Sequence, residues 1–298
     1  MEKDYAYVME YHDDWKKKVG ALGFNMKNDY LFRMLMQSDE QTLKALIASV
    51  MRVDISRIVS TVVLNPVLFG AVIDDKEMIL DVRVMIEMDG DKLLKDKKYK
   101  LIDLEMQVYK YDDWKERSLA YICRAYTSIK KGDEYDRIMP VWQISFCDFP
   151  LFENSTEFIS DYMLLNTRNP SQIYTDKFKI TCINLKADDL ATDEDLKNGL
   201  VSWAKLFKAE TWEDLIMLAK NNPVMDQTIS SVWQLSQDEL IKEQMIRREE
   251  NERFYKRIME KAERADKAEA ELVNKQAEID ALNRRIAELE SVISNQKP

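Results

Sequence analysis

The chain has 298 residues, 46% of them hydrophobic and 10% aromatic, enough for one sizeable core and a smaller appendage. No run of about 18 apolar residues offers a membrane-spanning helix, and the opening MEKDYAYVMEYHDDW has no apolar signal core. A net charge of −10 speaks against a broad nucleic-acid-binding surface but not against a local one.

His12 is the only histidine, so zinc sites rich in histidine and Ser-His-Asp or Cys-His chemistry have almost nothing to rest on. Cys123, Cys147 and Cys182 lie far apart with no CxxC pair. They read as three buried small residues of a reduced, cytoplasmic protein.

Residues 1–24 form a polar and aromatic leader without a clear period. Asn28 or Asp29 then caps a helix over 30–37, and a second helical stretch over 39–51 sets Leu43, Leu46, Ile47 and Val50 at helical spacing. The β-branched run 58–64, stopped by Asn65-Pro66, reads as a strand.

Two stretches that alternate cleanly follow, 78-MILDVRVMIEM-88 and 99-YKLIDLEMQVY-109. In the first, Met78, Leu80, Val82, Val84 and Ile86 share one face, with Asp81, Arg83 and Glu87 on the other. In the second, Ile102, Leu104, Met106 and Val108 make the apolar face, opposite Asp103, Glu105 and Gln107. The Asp-, Gly- and Lys-rich turn between them favours an antiparallel pair. Paired so, Asp81 and Glu105 point to one side of a sheet with Gln107 two residues on, a cradle for a divalent metal. Lys92, Lys95, Lys97, Lys98 and Lys100 crowd the turn, either as a solvated turn or as a rim that contacts phosphate.

Residues 112–132 carry helix punctuation, with acids first, lysines last and Gly132 after them. Arg117, Tyr121 and Arg124 lie along one face of it. Pro140 introduces 141-VWQISFCDF-149, a strand with almost no charge, as a central buried strand would have. A further strand is expected over 177–185. From about 190 the pattern turns helical, first as short amphipathic segments over 191–245 and then as one long charged helix over 246–298.

In that tail Leu272, Ile279, Ile286 and Ile293 fall at a positions and Leu282 and Leu289 at d, which favours a parallel two-stranded coiled coil. Arg264 with Glu269 and Arg285 with Glu290 supply pairs between g and e′ positions. Ala265, Ala268, Lys261 and Lys275 weaken the upstream seam. Residues 246–298 balance 12 basic against 12 acidic residues, so the whole −10 sits in residues 1–245. A homodimer is the expected state, with a single solvated helix as the plain alternative.

The order helix, three strands, helix, strand, with Asp81 in the second strand and 105-EMQ-107 in the third, resembles the PD-(D/E)XK nuclease superfamily. More narrowly, 79-ILDVRV-84, 104-LEMQVY-109, 117-RSLAYICRAYTSIKKGDEY-135 and 140-PVWQISFCDFPLF-152 resemble the bacterial family of recombination-promoting nucleases and transposases. The resemblance covers roughly residues 25 to 190. It implies an α/β restriction-endonuclease-like core, a mixed central sheet flanked by helices, with the helical extension and coiled-coil tail appended.

It also implies a Mg²⁺-dependent DNA endonuclease, Mn²⁺ substituting, linked to recombination or mobile DNA. Asp81 and Glu105 would be the metal ligands. Gln107 would stand where the superfamily has lysine, and it brings no positive charge. Leu80 stands where the motif has proline. Asp29 would match an acidic helix residue that assists the metal, and Arg117 and Tyr121 would brace Glu105 or touch DNA phosphate. Lys95, Lys97 and Lys98 are the candidate DNA contacts of the turn. The rival reading is a non-catalytic relative that keeps the fold and serves as a DNA-binding or protein-interaction scaffold dimerised by its tail.

Overall fold

A computed structural model describes residues 9–65, 82–89, 99–110, 113–127, 134–135, 138–152 and 154–295. Period-two alternation does what it predicts. The strands β1 (Ile58–Val63), β2 (Val82–Met88) and β3 (Tyr99–Gln107) pair antiparallel in sequence, Val82 opposite Leu104 and Arg83 opposite Asp103. After the helix α3 (Trp114–Tyr126), β4 (Val141–Cys147) joins β3 in parallel, and β8 (Phe178–Asn184) joins β4 in parallel. The edge strand β5 (Ile159–Met163) runs antiparallel to β8, which gives a six-stranded mixed sheet in the order β1-β2-β3-β4-β8-β5. The nearly uncharged 141–147 segment lies in the sheet interior, as its composition demands.

One stretch was silent in sequence. Between β4 and β8 the chain makes β5 and a small exposed hairpin, β6 (Leu165–Asn166) with β7 (Asn169–Ile173). Polar residues and Pro170 in β7 hide the hairpin from a hydrophobic-alternation reading, and its burial is nil throughout.

The apolar face of the sheet is covered by helices from both ends of the chain. Asn28 caps α1 (Asp29–Ser38), its side chain accepting from the amides of Tyr30 and Leu31, so the cap is Asn28 and Asp29 is the first helical residue. Asp39 caps α2 (Glu40–Met51). Four further helices follow β8: α4 (Asp193–Lys197), α5 (Leu200–Lys208), α6 (Trp212–Ala219) and α7 (Pro223–Gln237). Thr192 and Thr211 each close a capping box, with Asp195 and Asp214. Phe32 of α1, Phe146 of β4 and Phe207 of α5 meet at ring separations of 5.2 to 6.0 Å in the middle of this core. The leader joins it too: Trp15 is fully buried, Lys16 pairs with Asp226 at 2.6 Å, and Ala21 bridges to Thr211. No period announces those contacts, because a single anchoring tryptophan carries none.

The chain divides into two compact units, Met1–Ile246 and Arg247–Pro298. The second unit is helical: α8 runs Glu239–Asn295, and within its tail Leu272, Ile279, Leu282 and Ile286 are exposed. Arg264 and Arg285 make ion pairs along their own helix, with Glu260 and Glu288. Among the described residues no helix is long and apolar enough to cross a membrane.

Candidate active site

Among the described residues α3 is the helix that packs on the opposite face of the sheet, and the composition of that face is different. The registers Asp103↔Gln143, Glu105↔Ser145 and Gln107↔Cys147 place six non-aliphatic side chains on one face of two adjacent strands. The α3 stripe that meets them is Trp114, Ser118, Ile122 and Ala125. Ile122 and Ala125 pack with Leu101, Val141 and Phe178, and Trp114 packs with Cys147, Phe149 and Cys182. Ser118, the small polar member, falls between these two apolar clusters, where the sheet carries its polar row.

Glu105 is half-buried and accepts a hydrogen bond from Gln143 Nε2 at 3.3 Å. Asp103, two residues back on the same face, is buried and committed to a two-pronged pair with Arg83, Nε to Oδ1 at 2.8 Å and Nη2 to Oδ2 at 3.1 Å. Gln107 is buried with both ends of its amide engaged: Nε2 donates to the Tyr109 carbonyl at 2.6 Å and Oε1 accepts from Arg117 Nη2 at 3.3 Å. The Gln107 carbonyl accepts from the Asp148 amide, and Asp148 in turn pairs with Lys27, two residues ahead of α1. Lys27 thus reaches the carboxyl ends of β3 and β4.

Of the other residues singled out in sequence, Asp29 lies buried in the first turn of α1. Tyr121 is half-buried on α3, one turn beyond Arg117, and Arg124 is exposed. Asp81, Lys92, Lys95, Lys97 and Lys98 lie outside the described residues. Asp81 directly precedes Val82, whose partner is Leu104, and Glu105 directly follows Leu104.

Two residues that the sequence reading passed over, Gln143 and Ser145, are nearly or fully buried beside Glu105. The signal was present: β4 alternates Trp142, Ile144 and Phe146 with Val141, Gln143, Ser145 and Cys147, so its two polar residues share a face. Low charge drew the eye instead. The expectation of three buried cysteines needs correction. Cys147 and Cys182 are buried, but Cys123 is exposed, because it sits one residue past the inward-facing Ile122 and so is turned about 100° away from the sheet. The Cys147 thiol is pushed well above its ordinary value by its hydrogen bond with Cys182, by burial and by the nearby Glu105 charge.

A hard divalent cation takes oxygen donors. Around Glu105, Gln143 Oε1 and Ser145 Oγ have no hydrogen-bond partner among the described residues. That oxygen-rich surrounding fits such a cation. Among the described residues no three His, Cys, Asp or Glu side chains converge.

The mixed six-stranded sheet with helices on both faces is a restriction-endonuclease-like α/β fold. A family model described as PD-(D/E)XK nuclease family transposase matches residues 26–262, and the chain belongs to that family. No curated protein and no solved structure matches the chain.

Proposed function

We propose that the protein is a metal-dependent endonuclease that hydrolyses DNA phosphodiester bonds, with Asp81 and Glu105 as ligands of Mg²⁺, or of Mn²⁺ in its place. The observation that carries this reading is the Glu105 carboxylate, half-buried on β3 in a surrounding of oxygen donors, in a chain of the PD-(D/E)XK nuclease family. When bound, the metal would lower the pKa of a water and stabilise charge on the scissile phosphate.

The chain's own residues supply the rest. Glu105 is held by the Gln143 amide, which restricts its rotamers. Gln107 brings no charge, and its engaged amide suits it to bracing Arg117 rather than to moving a proton. The planar guanidinium fork of Arg117 matches a phosphate, so it takes over the cationic part that lysine plays elsewhere in the superfamily. Asp29 and Tyr121 are accessory to the same site, and Lys95, Lys97 and Lys98 contact the DNA backbone beside it. The biological setting is recombination or mobile DNA in the bacterial cytoplasm.

The tail makes the protein a homodimer through its a and d residues, which would bring two sites to one duplex. Light scattering on the full chain should give a dimer mass, and deletion of residues 247–298 should give a monomer. An unchanged mass would remove the coiled coil from the account.

Supercoiled plasmid incubated with the protein and Mg²⁺ or Mn²⁺ should be nicked and linearised, and EDTA, Asp81→Ala or Glu105→Ala should each abolish this. Equal cutting by wild type and both variants would mean a contaminating nuclease. The engaged Gln107 amide and the missing lysine favour a second reading, an inactive scaffold of the same fold. Binding of DNA without cleavage under either metal would establish that scaffold.

A further inference from the structure

Gln143 is 2% exposed and Ser145 is fully buried, both on the central strand β4 beneath α3. Each carries an oxygen with no partner among the described residues. A buried polar atom left in this condition is costly, and two on adjacent inward positions of one strand call for a shared explanation. The orientation of the Gln143 amide is fixed by chemistry. Its Nε2 donates to Glu105 Oε2, and turning it over would set Oε1 against a carboxylate. Oε1 is bonded to the same carbon as Nε2, so it lies beside Glu105. An amide oxygen accepts only a donor or a cation, so ionised carboxylates cannot satisfy it. Ser145 stands directly across from Glu105 in the β3–β4 register.

We propose that Gln143 and Ser145 hold a buried water against Glu105, and that amide and water together fix the Glu105 carboxylate to receive a divalent cation. This deepens the metal-site reading above and rests on it. A buried water makes two to four hydrogen bonds. Here it donates to Gln143 Oε1 and bonds Ser145 Oγ, with Glu105 as a further acceptor. Gln143 is thus a positioning residue that acts through Glu105, and β4 contributes to the site although it carries no ligand of its own.

The test is calorimetric titration of the full-length protein with Mn²⁺, without DNA, beside melting curves in EDTA. Gln143→Met keeps the bulk and removes both polar atoms. It should weaken Mn²⁺ binding about 10–100-fold, the usual effect of losing a group that orients a ligand. Its melting temperature in EDTA should stay within a few degrees of wild type, since an apolar side chain of similar bulk fills the same place. Ser145→Ala should weaken Mn²⁺ binding by a smaller factor with an equally intact melt. Undiminished Mn²⁺ affinity in Gln143→Met, with a lowered melting temperature, would make Gln143 a purely structural residue and overturn the proposal. Should Gln143→Met fail to fold, Ser145→Ala decides alone, and unchanged affinity there overturns it. Glu105→Gln separates the two levels of the argument. If the wild type binds no Mn²⁺, or Glu105→Gln binds it equally well, the metal-site reading has failed and this proposal falls with it.

Discussion

The two faces of the central sheet are built from the same strands and serve opposite ends. Along β3 and β4 one face presents Ile102, Leu104, Met106, Ile144 and Phe146, all buried in the large core. The other presents Asp103, Glu105, Gln107, Gln143 and Ser145, and its apolar contacts with α3 are split into two small clusters on either side of that row. Helices from both ends of the chain cover the first face; α3 covers the second. Stability is thus concentrated on one side of the sheet, and the other side can carry buried polar groups that a core would not tolerate.

The largest expected effect tests that division directly. Phe146→Ala removes the ring that touches both Phe32 and Phe207, and should destabilise the protein by about 3–5 kcal/mol in a denaturant melt. Glu105→Ala, one position away along the paired strand but on the other face, should change stability by no more than about 1 kcal/mol while abolishing metal-dependent nicking. Comparable losses of stability in the two variants would break the comparison.

A finer contrast lies within the polar face. Asp103 and Glu105 are two residues apart and look equivalent in sequence, yet Asp103 is locked to Arg83 at 2.8 Å, and the Gln143 amide donates to Glu105 at 3.3 Å. Asp103→Ala should cost about 1–3 kcal/mol, below the value for a fully buried pair because the Arg83 side chain is one-third exposed. It should leave Mn²⁺ affinity within a few-fold of wild type. A Mn²⁺ affinity lost in Asp103→Ala but kept in Glu105→Ala would exchange the roles of the two acids.

Sequence could resolve the strands of this face better than the roles of its side chains. Alternation names which residues share a face. The turn composition foretold the antiparallel β2–β3 pair, low charge foretold the interior position of β4, and leading acids with trailing lysines foretold the helix after β3. Which acid of this face meets Arg83 depends on the β2–β3 register, and a one-step shift in that register would have paired Arg83 elsewhere. The shared face of Gln143 and Ser145 was legible in the alternation of β4, but their role was not, for a related reason: buried polar residues matter through what stands across from them, and that is a property of the β3–β4 pairing. The leader's docking through Trp15 and Lys16, and the exposed β6–β7 hairpin, rest on single contacts and turn geometry that no periodicity encodes. The family resemblance, read from four phrases, agrees with the family match over residues 26–262.

The smallest effect belongs to α6, a helix of the core-face layer whose start is closed by a capping box. Thr211 caps α6 through the amide of Asp214, and Asp214 returns bonds to the Thr211 hydroxyl and amide. These bonds, the Thr211 hydroxyl first, hold the Asp214 carboxyl below its ordinary 3.8. A depressed folded-state value means that the stabilisation is complete above the unfolded value and disappears as pH falls through the lower folded one. Thr211→Ala should therefore cost about 1 kcal/mol at neutral pH, a melting-temperature drop of about 2–4 °C for a unit of this size. The gap between variant and wild type should narrow as pH falls below the unfolded value and through the lower folded one, where the wild-type carboxyl also takes up its proton. A gap that stays constant across that range would mean that the hydroxyl caps the helix without help from the charge. The start of α6 would then rest on neutral hydrogen bonds alone.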